Sequence, residues 1–363
     1  MKVLFAPDWR TGVPYQTLLA AALAELGVEV DFLAGYKRVL ALTRLVRGRA
    51  FDVLHLHWPD AYYPRRHDGF DWWRQARFAT DLALATRRHP LVFTAHNFAP
   101  HNRSGEFCEE HNARAPFLQA RAVIAHSAAA RDQIVQERGV PAARVHVIPH
   151  GDLSIPLGAS LPRTEARRQL GLPEGPLCLM FGTVEPYKGI EEVLAHWRAA
   201  RPETALCVVG RPCTPEYATH LTGLTQELRN VSLHLDWMPD EQLRLWLSAA
   251  DAVLFNYRQI FTSGAASLAR SWGLPIILPK RLATLDLAEP SPLVRRFESF
   301  ATDFDAALAG ALATTPSFAA AADWRAATAW SRIARATAAV YAGVLGAAPG
   351  QPPQPPCAES LAS

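Results

Sequence analysis

Short runs rich in apolar residues, each closed within two residues by a polar residue or a glycine, recur along the whole chain. They are Lys2 to Ala6, Val28 to Leu33, Val53 to Leu56, Leu91 to Thr94, Ala122 to Ala125 and Val145 to Ile148, then Leu177 to Phe181, Ala205 to Val209, Val231 to Leu235, Ala252 to Phe255 and Ile276 to Leu278. Runs this short and continuous suit strands buried on both faces, as in parallel sheets covered by helices. Helical patterns lie between them. Tyr15 to Leu26 places Leu18, Leu19, Ala22, Leu23 and Leu26 on one face, so the chain opens as a βαβ unit of a doubly wound α/β sheet. The loop before that helix holds Gly12 but no GxGxxG, so a dinucleotide fingerprint is absent. In open parallel sheets the ligand crevice lies beyond the carboxyl ends of the strands. His57, His96, His126 and His150 each follow such an end, and are expected to point toward one edge.

The stretch 251–279, DAVLFNYRQIFTSGAASLARSWGLPIILP, is the most informative of these units. A polar loop, Asn256 to Gln259, follows the strand. Thr262, Ser263 and Gly264 then precede a helix with Ala266, Leu268, Ala269 and Trp272 at helical spacing, stopped by Gly273 and Pro275. Such a helix start offers unpaired amides and partial positive charge to a phosphate or diphosphate. It is also simply what a capped helix looks like. Lys188, in the loop FGTVEPYKGI, and Arg258, in the loop before Thr262, would neutralise the same anion, with Arg211 after the strand ending at Gly210 a weaker candidate.

At 363 residues the chain is long enough for two α/β domains. The pattern places one over 1–150 and, after a Gly-, Pro- and Ser-containing linker at 151–163, a second over 164–325. Asp323 to Leu345 reads as one long Ala-rich helix, and the Pro/Gly-rich tail 346–363 as disordered. Up to His150 there are 19 Lys and Arg against 14 Asp and Glu, and ten of the 13 histidines. This mild basic bias suits an acidic or membrane-associated partner and falls short of the stripe expected for nucleic acid. The five cysteines show no CxxC spacing, the opening MKVLFAPDW lacks the apolar span and small-residue cleavage site expected of a signal peptide, and no run reaches the length of a membrane span. These features predict a cytoplasmic protein, with peripheral contact at the inner face of a membrane compatible with them.

For proton transfer the eligible residues after the early strands are Asp60, His57, His96 and Asp8. The histidines lack HxxxH or HxH-plus-carboxylate spacing, which predicts no bound metal. Tyr62 to Phe78, YYPRRHDGFDWWRQARF, interleaves aromatic residues, Trp72 and Trp73 among them, with arginines. That mixture suits a lipid headgroup surface or a sugar ring, and equally a helix packed over the sheet.

In this order and spacing, VIPHG (Val147 to Gly151), FGTVEPYKGIEEVL (Phe181 to Leu194), VVGRP (Val208 to Pro212), SAADAVLFNYRQIFTSGAASLARSWGLPII and the terminal WSRIARATAAVY (Trp330 to Tyr341) resemble the GT-B fold glycosyltransferases, in particular the large retaining family 4 and its bacterial exopolysaccharide relatives. The resemblance spans roughly residues 2 to 345. It implies two Rossmann-like domains facing across a cleft, with a helix at about 326–345 returning to the N-terminal domain. It also implies a nucleotide sugar as donor substrate, and neither cofactor nor metal. Donor contacts would come from Gly182, Thr183, Lys188, Arg211, Tyr257, Arg258, Thr262, Ser263 and Gly264. Acceptor contacts would come from Gly12, Trp58, Asn97, Trp72 and Trp73. His96 matches the histidine near the reacting sugar.

The arginine usually paired with the lysine falls at Thr183, so Arg258 is expected to supply that charge; the Glu-x7-Glu signature falls at Ile260 and Leu268, and neither is acidic. The Tyr-Arg-x-x-x-Thr-Ser-Gly variant and PYQTLLAAAL (Pro14 to Leu23) look more like bacterial mannosyltransferases that extend lipid-linked oligosaccharides, β-mannosyltransferases included. The expectation is transfer of a hexose, mannose from GDP-mannose favoured, to a lipid-linked or oligosaccharide acceptor. A retaining UDP-sugar-dependent transferase and a non-catalytic nucleotide-sugar-binding module are the alternatives. An inverting reaction would need Asp60 or His57 as base; in a retaining one His96 would bind the sugar.

Overall fold

In the computed structural model the described residues are 1–11, 14–35, 39–62, 72–98, 114–200, 202–282, 285, 287 and 291–346, the side chains of 60 and 72–75 excepted. Gly12, most of the aromatic and arginine segment after Tyr62, and the tail beyond 346 lie outside them. The chain divides into two compact units, Met1–Gly151 with Thr328–Ser363, and Asp152–Ala327.

The first unit holds a six-stranded parallel sheet: β1 (Lys2–Ala6), β2 (Glu29–Phe32), β3 (Val53–Leu56), β4 (Leu91–Thr94), β5 (Ala122–Ala125) and β6 (Val145–Val147), in the order β2-β1-β3-β4-β5-β6. Winding reverses between β1 and β3, so the loops after these strands open a crevice at their carboxyl ends. Every residue of β3, β4 and β5 is buried, which explains their unbroken apolar character. Helix Pro14–Ala24 buries Tyr15, Leu19, Ala22 and Leu23. It ends before the predicted Leu26, which is left 44% exposed. Gln16, buried in the same face, accepts from the Trp9 amide and donates to the Pro7 carbonyl, both at 2.8 Å, and so ties down the β1 loop.

The predicted single helix Asp323–Leu345 is two helices, Ala322–Ala327 and Trp330–Gly346. Alanine content favours helix throughout, but the chain passes from the second unit to the first here, and the buried, β-branched Thr328 sits at the break. Helix Trp330–Gly346 packs on helix Pro14–Ala24. Its Trp330 ring explains the glycine of VIPHG, because a Cβ on Gly151 would lie 2.4 Å from the indole.

The second unit holds β7 (Leu177–Phe181), β8 (Ala205–Val209), β9 (Val231–His234), β10 (Ala252–Leu254), β11 (Ile276–Pro279) and β12 (Val294–Phe297), ordered β12-β11-β10-β7-β8-β9. Sequence pattern missed β12 because Arg295 and Arg296 interrupt it, as an edge strand permits. The core gathers Trp197, Leu206, Val208, Ile277, Phe297 and Phe304. Residues 151–163 are not an open tether: Leu153 and Leu157 are buried, and the turn Ile155–Leu157 packs on helix Asp240–Ala249. At the amino ends of β7 and β10, Asp251 accepts from Arg163, from Arg167 Nη2 at 2.6 Å and from the Leu177 amide at 2.8 Å. Arg167 also donates to the Ala249 and Gly175 carbonyls, so this buried pair fastens helix Arg163–Leu170 to the sheet.

Candidate functional site

In the second unit winding reverses between β7 and β10, and the two loops singled out by sequence leave these neighbouring strands. After β7 the chain turns through Gly182 and the 3-10 turn Pro186–Lys188, then enters helix Ile190–Ala200. The Lys188 side chain folds back over this turn, and its Nζ donates to the Phe181 carbonyl at 3.2 Å. Gly182 has φ +91°, and a Cβ there would stand 3.1 Å from that Nζ. Gly210 comes closer still to Gly182: its own Cβ would fall 2.0 Å from the Gly182 carbonyl oxygen. The loops after β7 and β8 therefore meet backbone to backbone.

After β10, Tyr257 is buried and its ring centre lies 5.8 Å from Lys188 Nζ. Its hydroxyl is 3.2 Å from Ser263 Oγ, which caps helix Gly264–Trp272 by accepting from the Ala266 amide at 3.1 Å. The first helical bond runs from Ser267 N–H to the Ser263 carbonyl, so the amides of Gly264 and Ala265 lie ahead of the ladder. Tyr257 thus links a buried ammonium to a helix N-terminus within one small cluster. Burial pulls the Lys188 ammonium down to about 8, with Glu185 pulling the other way.

The other donor-side candidates separate. Arg258 does not stand free over the turn: its guanidinium meets Glu192 at 2.8 Å and Glu191 at 3.6 Å, so its charge is already compensated, contrary to the clamp expected of it. Thr183 is exposed and hydrogen-bonds Tyr187, Thr262 is half-buried just before the cap, and Arg211 is exposed on the loop beyond Gly210. Sequence reasoning missed Arg281, which donates to the Tyr257 carbonyl at 3.2 Å and to Asn256 Oδ1 at 3.0 Å. Its position just past β11, the strand beside β10, was the available signal.

In the first unit the histidines converge as expected. His57 Nδ1 lies 3.2 Å from His96 Nε2, His96 Nδ1 lies 3.2 Å from His126 Nε2, and His126 Nδ1 lies 3.0 Å from the Ile148 carbonyl. A carbonyl only accepts, so His126 carries its proton on Nδ1. With all three rings neutral, His96 and His57 then donate from Nδ1 as well. Burial, reinforced by the neighbouring imidazoles, holds His57 and His96 well below the usual histidine range, and burial brings His126 to about 4. The last lone pair of this ladder, on His57 Nε2, is buried without a partner.

Trp58 stacks on His96 with centroids 4.1 Å apart and an interplanar angle of 12°. Tyr15 stands edge-on to His96, His126, His150 and Trp330. A second chain, missed by sequence, joins Tyr341 Oη to His55 Nδ1 at 2.6 Å and His55 Nε2 to Thr94 Oγ1 at 2.7 Å.

Asp8 is held by Arg10 at 2.9 Å, which keeps its carboxyl below the ordinary range and makes it a weak proton acceptor. Asn97 is half-buried after β4. Asp60 lies in the turn Pro59–Tyr62 after β3, while Trp72 and Trp73 open helix Trp72–Ala85; their side chains are outside the described residues, as is Gly12.

Comparison with known proteins adds to this geometry. The family described as Glycosyltransferase Family 4 matches residues 12–152. A GDP-mannose:glycolipid 4-beta-D-mannosyltransferase of Xanthomonas campestris pv. campestris is 29% identical over 281 residues, covering 76% of this chain and 72% of the relative. Among solved structures, sucrose-phosphate synthase from Thermosynechococcus elongatus superposes with a TM-score of 0.71 at 18% identity, over 96% of this chain and 99% of that one. Anabaena HepE in complex with UDP and glucose gives 0.69 at 18% identity, over 94% and 99%. WaaG, a glycosyltransferase involved in lipopolysaccharide biosynthesis, gives 0.59 at 16% identity, over 93% and 95%. Two Rossmann-like units, the placement of Lys188 and the capped helix at a winding reversal, and these likenesses lead to one assignment: the chain is a glycosyltransferase of the GT-B fold, similar over residues 12–152 to family 4.

Proposed function

We propose that the enzyme transfers mannose from GDP-mannose to a hydroxyl of a lipid-linked or oligosaccharide acceptor, in the synthesis of an exopolysaccharide or other cell-surface glycan. The observation that carries the donor side is the Lys188–Tyr257–Ser263 cluster. In this reading the ammonium and the amides of Gly264 and Ala265 take up the charge that develops on the departing diphosphate, work that requires no metal. Because these groups are fixed before reaction, little reorganisation opposes bond breaking. Arg281 would extend the cationic rim.

Mannose and the guanine nucleotide are supported by the GDP-mannose-dependent relatives at 29% identity. The acceptor is assigned to the first unit, with Trp58 as a stacking face for a sugar ring and Asp60 as the base if the transfer inverts. No helix among the described residues is long and apolar enough to cross a membrane, and the arginine-rich aromatic segment around Trp72 and Trp73 would supply peripheral contact.

The test is thermal unfolding and donor turnover with GDP-mannose, UDP-glucose and the free diphosphates. GDP-mannose should raise Tm and be hydrolysed slowly without acceptor, with both effects lost in Lys188→Ala. A response to UDP-glucose alone would replace mannose transfer by the UDP-sugar reading. Stabilisation with no turnover, unchanged by Asp60→Ala, would make the protein a binding module.

A further inference from the structure

We propose that His96, His126 and His150 form a site for one divalent transition-metal ion of the zinc class at the carboxyl edge of the first sheet. Each ligand follows a different strand, β4, β5 and β6, which are neighbours in the sheet. The three rings each present a nitrogen within 4.8 Å of the other two. His96 Nδ1 and His126 Nε2 are already 3.2 Å apart. A tetrahedral ion with metal–nitrogen bonds of ~2.0–2.1 Å spaces its ligands by roughly 3.3 Å, so this pair already has the required spacing. Each ring must turn its lone pair off the N···N line toward the ion, and the His150 nitrogen, within 4.8 Å, must draw in.

The second ring nitrogen of each ligand supports the same assignment. A metal-bound imidazole normally donates its other N–H to a carbonyl or carboxylate, which fixes the tautomer. His126 does this through Nδ1 to Ile148. His96 reaches His57 through Nε2. The Nδ1 of His150 is buried and lacks a partner, as a ligating atom would before an ion arrives. His150 is the partly exposed member and marks the way in. Tyr15 walls the three rings edge-on. Three neutral ligands leave the ion's double charge uncompensated, so its fourth position suits an oxygen ligand such as water, hydroxide or an anionic group. Tests for HxxxH spacing find ligands on one helix and are blind to a set gathered from three loops.

Binding requires a defined proton shift. Without the ion, His96 donates from Nδ1 to His126 and His57 donates from Nδ1 to His96. With it, His96 Nδ1 gives its lone pair to the metal, its proton moves to Nε2, and the His57 proton moves from Nδ1 to Nε2. No proton is gained or lost.

The experiment uses the full chain, stripped with a chelator and titrated with Co²⁺ and then Zn²⁺. One equivalent should bind with the visible absorption of tetrahedral cobalt. His126→Ala should abolish it, and the milder His150→Gln should weaken it by more than the ~10–100-fold that loss of an outer-shell partner costs, folding being checked by circular dichroism. Nitrogen-detected NMR of the unmodified protein gives an independent reading, in which zinc should invert the tautomers of His57 and His96. Absence of saturable binding, equal binding by both variants, or unchanged tautomers at saturating zinc would each overturn the site and leave only a hydrogen-bonded ladder.

Discussion

The two sheets share a doubly wound architecture, yet their carboxyl edges carry opposite chemistry. The first collects imidazoles among aromatic rings, and burial holds them neutral. The second buries an ammonium beside glycines, a tyrosine and the start of a helix. Topology decides where a ligand can sit, because winding reverses between β1 and β3 in one unit and between β7 and β10 in the other. Side chains decide what can sit there. A neutral, aromatic-walled edge suits sugar hydroxyls or a metal ion, and a cationic edge with free amides suits a diphosphate.

The contrast is sharpened most by loosening one unit alone. Asp251→Ala leaves Arg167 buried without its carboxylate and should cost the second unit about 3–5 kcal/mol, with the first unit's unfolding unchanged in urea. Lys188→Ala should lower turnover by about 10²–10³-fold, with stability equal or slightly higher because a buried charge has gone. Gly151→Ala, which drives a Cβ toward Trp330, should destabilise the first unit by about 1–3 kcal/mol and spare nucleotide binding.

Acidity separates the edges next. The Lys188 amine is held near 8, below its ordinary 10.5, so its burial opposes folding fully below about pH 8 and ceases to as pH rises toward 10.5. Affinity for GDP should move the opposite way, weakening above about pH 8 as the charge is lost, which calorimetry across that range would read. The smallest effect is Ser263→Ala, worth about 1 kcal/mol of helix capping together with a modest rise in the Kd of the diphosphate.

The strand pattern was legible because parallel strands buried on both faces leave unbroken apolar runs, as in Leu91–Thr94 and Ala122–Ala125. It failed at Val294–Phe297, where two arginines sit on an edge, and at Thr328, where a change of unit rather than composition breaks the helix. Lys188 and Ser263 could be paired from sequence since both follow strand ends; Tyr257, which joins them in space, could be named but not placed. Arg258 misled because Glu191 and Glu192 stand one helix away. The histidine ladder was visible only as a shared edge, since its hydrogen bonds run between strands rather than along the chain.

The Asp251 fastening has a practical consequence for changing what the enzyme accepts. It clamps the strands at the end remote from the Lys188–Tyr257–Ser263 cluster, so the loops after β7, β10 and β11 can be exchanged without touching the joint that keeps the scaffold rigid. Selection for a new donor should therefore run through Thr183, residues 256–262 and Arg281, and should leave Arg163, Arg167 and Asp251 alone.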